Sequence, residues 1–321
     1  YEMLRSLVGS EMCIRDSLGR DRGGRARRLA CMIDARDTAL IFEGGGTRNS
    51  YTAPVVEKLI AEEVQVGWVG GISAGSVHAL NFASRDTWRS ENAFTEFVGN
   101  PKFGGWRSVV RGKGLINGEW AYEQSEDVLP FDFDAFARTT EEVHVEAVRA
   151  DTGETVAFNR DDLRTLEDVA LAARTSSTLP ILMKMREIDG VPYVDGALGT
   201  SGGLLIDAAR AAGYSRFLAV LTRPRDYVKG PQKRERAVRR ILRNTPKVAD
   251  AMVARPGIYN AAKQSLIDEA AAGNAYLFFP DEMGVESTEL DAEKLRANYA
   301  AGQTQVERDW PAMREFLTAK R

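Results

Sequence analysis

Between Ala39 and Ser84 the chain runs twice from an apolar strand pattern, through glycines, into a helix pattern. Few folds accommodate that order. Ala39, Leu40, Ile41 and Phe42 form a short apolar run that stops at Gly44-Gly45-Gly46, as a buried strand entering a loop does. Val55, Val56, Leu59 and Ile60 recur at helical spacing. Val64, Val66, Trp68 and Val69 give a second strand, which ends at Gly70-Gly71, and Val77, Leu80 and Phe82 mark the helix after it. A strand, a helix and a second strand in this order make the two strands parallel neighbours. The spacing predicts an α/β protein on a mostly parallel sheet.

The second glycine turn carries chemistry. Gly71-Ile72-Ser73-Ala74-Gly75 fits G-x-S-x-G, in which a serine occupies a strained turn between strand and helix. Gly71 and Gly75 lack bulk where the strand and helix backbones pass closely, and the helix N-terminus below favours negative charge. The plain alternative is a βα turn with a capping serine. In the first turn, Gly44, Gly45 and Gly46 expose backbone N–H groups that suit a phosphate or an oxyanion. No Gly-Lys-Ser/Thr closes that loop, and Asn49 stands where a dinucleotide fingerprint needs its third glycine. What remains is an oxyanion hole, with Arg48 fixing the loop or adding positive charge.

The means of activating Ser73 is narrowed by a count of two histidines. His78 lies five residues along the same helix, a rotation of about 140° away from the serine. His144, in Glu142-Val143-His144-Val145-Glu146, alternates like a strand with its polar side outward. No later histidine exists to complete a serine, acid, histidine order. The other base is a carboxylate. Asp195 ends the short apolar strand Val191-Pro192-Tyr193-Val194, and burial would raise its pKa far enough for direct proton transfer from a serine. Taken alone, Asp195-Gly196 is a turn signal.

Together, Gly44-Gly45-Gly46-Thr47-Arg48, Gly71-Ile72-Ser73-Ala74-Gly75 and Asp195-Gly196 resemble the ordered motifs of the patatin-like phospholipases, lipid acyl hydrolases with a Ser–Asp dyad. The resemblance spans 38–222 and implies Ser73 as nucleophile, Asp195 as base, and Gly44, Gly45, Gly46 and Arg48 as the oxyanion hole. Ala173-Arg174-Thr175-Ser176-Ser177-Thr178-Leu179-Pro180 is similar to the small-residue stretch that precedes the aspartate in that family. Asn49 and Ala197 replace glycines usual in the family, which touches loop geometry rather than the acting groups. The implied fold is a three-layer α/β/α patatin-like architecture with a mostly parallel central sheet and a helical C-terminal portion.

The rest of the chain is read around this frame. Residues 1–36 form a tail, disordered or spurious, whose string SLVGSEMCIRDS resembles vector- or assembly-derived sequence; the expected native start is Met32, and the alternative is a basic targeting arm. A catalytic domain over 37–222 and a mostly helical portion over 223–321, packed on the same core, complete the domain reading. Asn92 to Tyr122 is glycine-broken and aromatic, with Phe94, Phe97, Phe103, Trp106 and Trp120. It is the expected place for an acyl-chain wall or lid, the alternative being aromatics packed beneath a loop-rich insertion. Hairpins are expected at Asp151-Thr152-Gly153 and Asp189-Gly190, a helix over 203–212, and strands at 217–221 and 276–279. A basic run from Arg223 to Lys247 reads first as a solvated helix face; contact with anionic headgroups is the alternative.

A net charge of −3 argues against a nucleic-acid binder. Cys13 and Cys31 both lie in the tail, and no apolar run approaches membrane-spanning length, so the expected setting is cytoplasmic, with peripheral membrane contact through 223–247. The functional reading is a serine lipid acyl hydrolase needing no metal or organic cofactor, with a lipid or ester as its partner. Alternatives are an acyltransferase on the same scaffold and a catalytically silent lipid-binding module.

Overall fold

Alternate residues of the central strands enter two separate apolar layers, and that alternation defines the architecture. On the first strand Leu40 and Phe42 join one buried cluster, while Ala39 and Ile41 join another on the opposite face. Leu218 and Val220 divide from Phe217 and Ala219 in the same way. A sheet apolar on both faces must be covered on both. The protein is therefore a three-layer α/β/α sandwich.

The computed structural model describes residues 32–319 and, upstream, the backbone of a two-residue ladder pairing Gly19–Arg20 with Ala26–Arg27. The reading of 1–36 as a disordered or spurious tail fails at 33–36, which open the first strand by pairing with the strand at Val64, and for 1–31 otherwise lies outside the described residues. The strands are β1 (Ile33–Phe42), β2 (Val64–Gly71), β3 (Glu142–Arg149), β4 (Thr155–Asn159), β5 (Arg186–Ile188), β6 (Val191–Asp195), β7 (Phe217–Val220) and β8 (Ala275–Phe278). They are ordered β8-β7-β1-β2-β3-β6-β5, with β4 on the other edge of β3. The pairs from β8 through to β3 are parallel; β4, β5 and β6 run antiparallel to their neighbours. β1 begins six residues before the apolar run at Ala39, because Ile33 and Ala35 pair with Val64 and Val66 ahead of a bulge.

On one face lie α1 (Ala53–Ala61), α2 (Ala74–Ala83), α7 (Leu166–Ser176) and α11 (Ala292–Thr318), which supply Leu59, Phe82, Val169 and Trp310 to the first cluster. On the other lie α8 (Ile206–Ala211) and α10 (Pro246–Ala271), with Ala209, Tyr259 and Leu266. No helix among the described residues is long and apolar enough to cross a membrane.

The C-terminal helix is fastened to the turn that follows the glycine loop. Asn298 Nδ2 donates to Ser50 Oγ at 2.9 Å and Tyr51 Oη donates to Gln305 Oε1 at 2.7 Å. At Gly302 a Cβ would lie 2.0 Å from the Tyr51 carbonyl oxygen, so the helix sits directly on that backbone. Gly302→Ala is expected to force the two apart and destabilise the protein by about 1–3 kcal/mol, the usual cost of overpacking. Thermal or denaturant unfolding measures it; an unchanged midpoint would mean that α11 is loosely seated.

Candidate active site

The turn after β2 is tight enough to require small neighbours. A Cβ on Gly71 would stand 2.0 Å from the Gly75 carbonyl oxygen, and one on Gly75 2.3 Å from that of Phe42. Between them Ser73 has φ 56° and ψ −130°, a backbone region that side-chain-bearing residues avoid. Its N–H donates to Ser176 Oγ at 2.9 Å, and its carbonyl accepts from Ser76 Oγ at 2.6 Å. The serine thus stands at the N-terminus of α2, held by backbone contacts that leave its hydroxyl for other work.

Asp195 reaches it by register along a shared strand. Gly71 pairs with Val145 of β3, and Asp195 pairs with Ala147, two residues further on. Because β4 occupies the other edge of β3, the ends of β2 and β6 meet along one edge. The Asp195 carboxyl is buried, and burial raises its pKa above the usual aspartate value. Arg255, the Ala197 N–H and the Ser73 hydroxyl pull in the opposite direction. Ala197 N–H donates to Asp195 Oδ1 at 2.8 Å. The Ser73 hydroxyl donates toward the carboxyl and favours its ionised form. The backbone N–H of Asp195 donates to the Thr178 carbonyl at 2.8 Å. One short segment, Ser176 to Thr178, therefore grips both residues of the pair.

The glycine loop lies over this pair. A Cβ on Gly44 would fall 3.0 Å from Ser73 Cβ, so the loop backbone touches the serine. Among the described residues the N–H groups of Gly44, Gly45 and Gly46 have no acceptor. Asn49 Nδ2 donates to the Gly46 carbonyl at 3.2 Å, bracing the loop from below. Residues 286–287 brace it from outside, through Thr47 N–H to the Ser287 carbonyl at 3.1 Å and Thr47 Oγ1 to the Glu286 carbonyl at 2.9 Å. Arg48 is buried behind the loop, where Glu43 supports its charge while burial and Arg223 weigh against it. Glu43 in turn accepts from Thr222 N–H at 2.6 Å.

A cavity opens from Ser73, walled by Val77, Phe94, Phe97, Phe103, Leu129 and Met183. Phe97 stacks on Trp120 at 5.0 Å between ring centroids, so the second aromatic supports the wall from behind. Trp106 is different: it is 77% exposed and takes no part in the wall. Tyr122 lines the same cavity facing Ser177, with its pKa raised by burial.

The histidines are accounted for elsewhere. His78 is fully buried against Phe42 and Phe94, its Nε2 shared between Thr52 Oγ1 at 3.0 Å and the Asn49 carbonyl at 3.1 Å. Burial pushes its pKa down to about 3, so it is neutral and structural. His144 sits between Asn159 and Glu146 and against Trp68. The polar side of β3 is thus covered at His144 and Glu146, where the Trp68 ring packs, and outward only at Glu142. Among the described residues no group of three or more His, Cys, Asp or Glu side chains could hold a metal ion.

The sequence profile of the patatin-like phospholipases matches residues 40–213, just over half of the chain. The chain belongs to the patatin-like phospholipase family. A second profile, a domain of unknown function termed DUF6363, matches residues 245–318 of this patatin-like chain. The uncharacterized protein YjjU of Escherichia coli (strain K12) is 25% identical over 199 residues. The match takes in 60% of this chain and 54% of YjjU, so the chain spans about half the length of that curated relative. VipD from Legionella pneumophila superposes with a TM-score of 0.44 at 10% identity, over 92% of this chain and 69% of VipD.

Four contributors to the patatin-like site carried no sequence signal strong enough to single them out. Ser176 and Thr178 act through one side chain and one carbonyl within a segment distinguished only by small residues. Arg255 comes from α10, 60 positions after Asp195, and Ser287 borders the cavity from beyond β8. Both lie within the second matched region.

Proposed function

We propose that the protein is a serine lipid acyl hydrolase, of the phospholipase A, lysophospholipase or esterase type, acting through Ser73 and Asp195. The observation that carries this reading is the register along β3, which brings a serine in a strained turn against a buried, pKa-raised carboxyl beside an apolar cavity. In the reaction, ionised Asp195 takes the Ser73 proton as Ser73 Oγ attacks the acyl carbonyl carbon. The tetrahedral oxyanion is held by the free N–H groups of Gly45 and Gly46, a contribution of about 3–4 kcal/mol per donor in comparable sites. Arg48 steadies the loop from behind. Asp195 returns the proton to the departing alcohol or lysolipid oxygen, leaving an acyl-serine. Water then attacks that ester with Asp195 again as base, releasing the fatty acid and restoring Ser73. The catalytic unit covers 37–222, and 223–321 completes it by supplying Arg255 and the brace on Thr47.

A screen of purified protein against fluorogenic esters of graded chain length, run beside a serine-directed phosphonate label, tests the reading. Turnover and labelling that both vanish with Ser73 support it. Failure to label would favour the silent lipid-binding module. Acyl transfer to an added alcohol in preference to water would favour the transferase.

Arg255 offers a pH test. It pulls the carboxyl of Asp195 toward ionisation against the effect of burial. Arg255→Met is expected to move the acid limb of the pH–rate profile to higher pH while leaving the alkaline plateau within a few-fold. An unmoved limb would detach Arg255 from the carboxyl.

A further inference from the structure

We propose that residues 101–116, together with Ile181, form the face by which the protein docks on an anionic lipid surface, presenting the mouth of its acyl cavity to the bilayer. This deepens the hydrolase reading and rests on it for the purpose of docking. The short helix α4 (Trp106–Val110) carries its apolar side chains outward: Trp106 is 77% and Val110 75% exposed, with Val109 beside them. Trp106 and Val110 have the largest exposures of the large apolar side chains among the described residues. A tryptophan and branched aliphatics flanked by basic residues form the composition that settles at the boundary between headgroups and acyl chains.

The charge around them has one sign. From Pro101 to Ile116 the chain holds Lys102, Arg107, Arg111 and Lys113 and no acidic residue. Lys113 bonds Glu119, whereas Arg107 and Arg111 are exposed and have no acidic partner among the described residues. A surface basic at its rim and apolar at its tip complements an anionic bilayer, with each cation contributing there.

The position links the tip to the cavity. Phe103 and Ile116, at the two ends of the segment, both line the cavity that opens from Ser73. Gly104 pairs with Ile116 and Gly114 with Met183, another cavity residue, so the base of the loop is part of the cavity rim. Leu115 N–H donates to the Leu182 carbonyl at 2.7 Å, which brings Ile181 to the same rim. Ile181 is 48% exposed and has φ 72°, a conformation that a β-branched residue adopts only under constraint. An apolar side chain held in strain and turned to solvent beside an apolar cavity suits contact with lipid.

The competing face is the basic run 223–247, in which Arg223, Lys229 and Arg239 are already engaged. Arg239 bonds Glu235 at 2.9 Å and Asp250 at 2.6 Å, while Arg223 and Lys229 turn in over Tyr227 and Tyr259.

Flotation with vesicles of phosphatidylcholine and phosphatidylglycerol in equal parts, using the full chain carrying Ser73→Ala so that no lipid is consumed, tests the proposal. Trp106→Ala with Val110→Ser is expected to weaken binding about tenfold. Arg107→Glu with Arg111→Glu is expected to weaken it by at least about tenfold, with recovery of the difference in high salt. In the Ser73 background each pair should leave turnover of a short soluble ester unchanged while lowering turnover of vesicle lipid. Absence of vesicle binding, binding unaffected by both pairs, or binding abolished instead by Arg236→Glu with Arg240→Glu would overturn the proposal. Vesicle binding without any ester turnover would sink the hydrolase reading and leave the docking face standing.

Discussion

Ser73→Ala is expected to lower ester turnover by a factor on the order of 10⁴ to 10⁶, the range seen when a serine hydrolase loses its nucleophile. On the proposed reading the Ser73 hydroxyl is the group that forms the acyl-enzyme, so its loss removes the nucleophile. The fold should survive, because Ser73 is held through its backbone N–H and carbonyl, which alanine retains. A second substitution separates chemistry from strain. At φ 56° and ψ −130° the serine occupies a region natural only to glycine. Ser73→Gly should therefore be as inactive as Ser73→Ala but more stable than it by about 1–3 kcal/mol. Initial rates on a soluble ester and thermal unfolding of the three proteins check both statements. Retained turnover in either variant would remove Ser73 from the chemistry. Equal stability of the two variants would mean that the turn relaxes when the serine is lost.

The parts of this site legible in the amino-acid order are the local ones. Ala39 to Ser84 announces two strands, two glycine turns and two helices through periodicity and steric need, and each depends on residues a few positions apart. His78 could be set aside from helix geometry alone, and its burial against Phe42 and Phe94 follows from the same geometry. The approach of Asp195 to Ser73 is of another kind. It depends on β2 and β6 sharing one edge of β3, a pairing fixed by residues 142–149 that carry no chemistry of their own. Pattern alone offered Asp195 as a strand-end carboxylate that could equally be a turn, and the family resemblance gave it the role of base for that reason. Arg255 and Ser287 are further removed still, since a helix and a loop from the last third of the chain must dock before either acquires a meaning. The aromatic stretch shows the same limit: Phe103 and Trp106 are three residues apart, yet Gly105 at φ 94° turns one to the cavity and leaves the other in solvent.

Asp195→Asn is the second large effect, and it should change activity and stability in opposite directions. Turnover is expected to fall by a factor on the order of 10⁴, as when the acidic member of a serine hydrolase site is removed, because an amide cannot accept the Ser73 proton. Stability at neutral pH should rise. The buried carboxyl has a folded-state pKa above its unfolded value near 3.9, so the folded protein holds this proton more tightly than the unfolded chain does. Below the unfolded value both states are protonated and the favourable contribution is complete. As pH rises from there through the raised folded value, the unfolded chain ionises first and the contribution is lost. Asparagine never ionises, and its side-chain oxygen can still accept from the Ala197 N–H, so the variant escapes that loss. A gain of about 1–3 kcal/mol at neutral pH is expected, the scale of an unfavourably buried polar group. Unfolding measured against pH should show wild type and variant converging in acid and separating as pH rises. Activity of the wild type should climb across the same interval, since on the proposed reading the ionised carboxylate that weakens the fold is the base. A variant no more stable than wild type, or an activity that rises outside the interval in which the two stability curves part, would break the link between this carboxyl and the chemistry at Ser73.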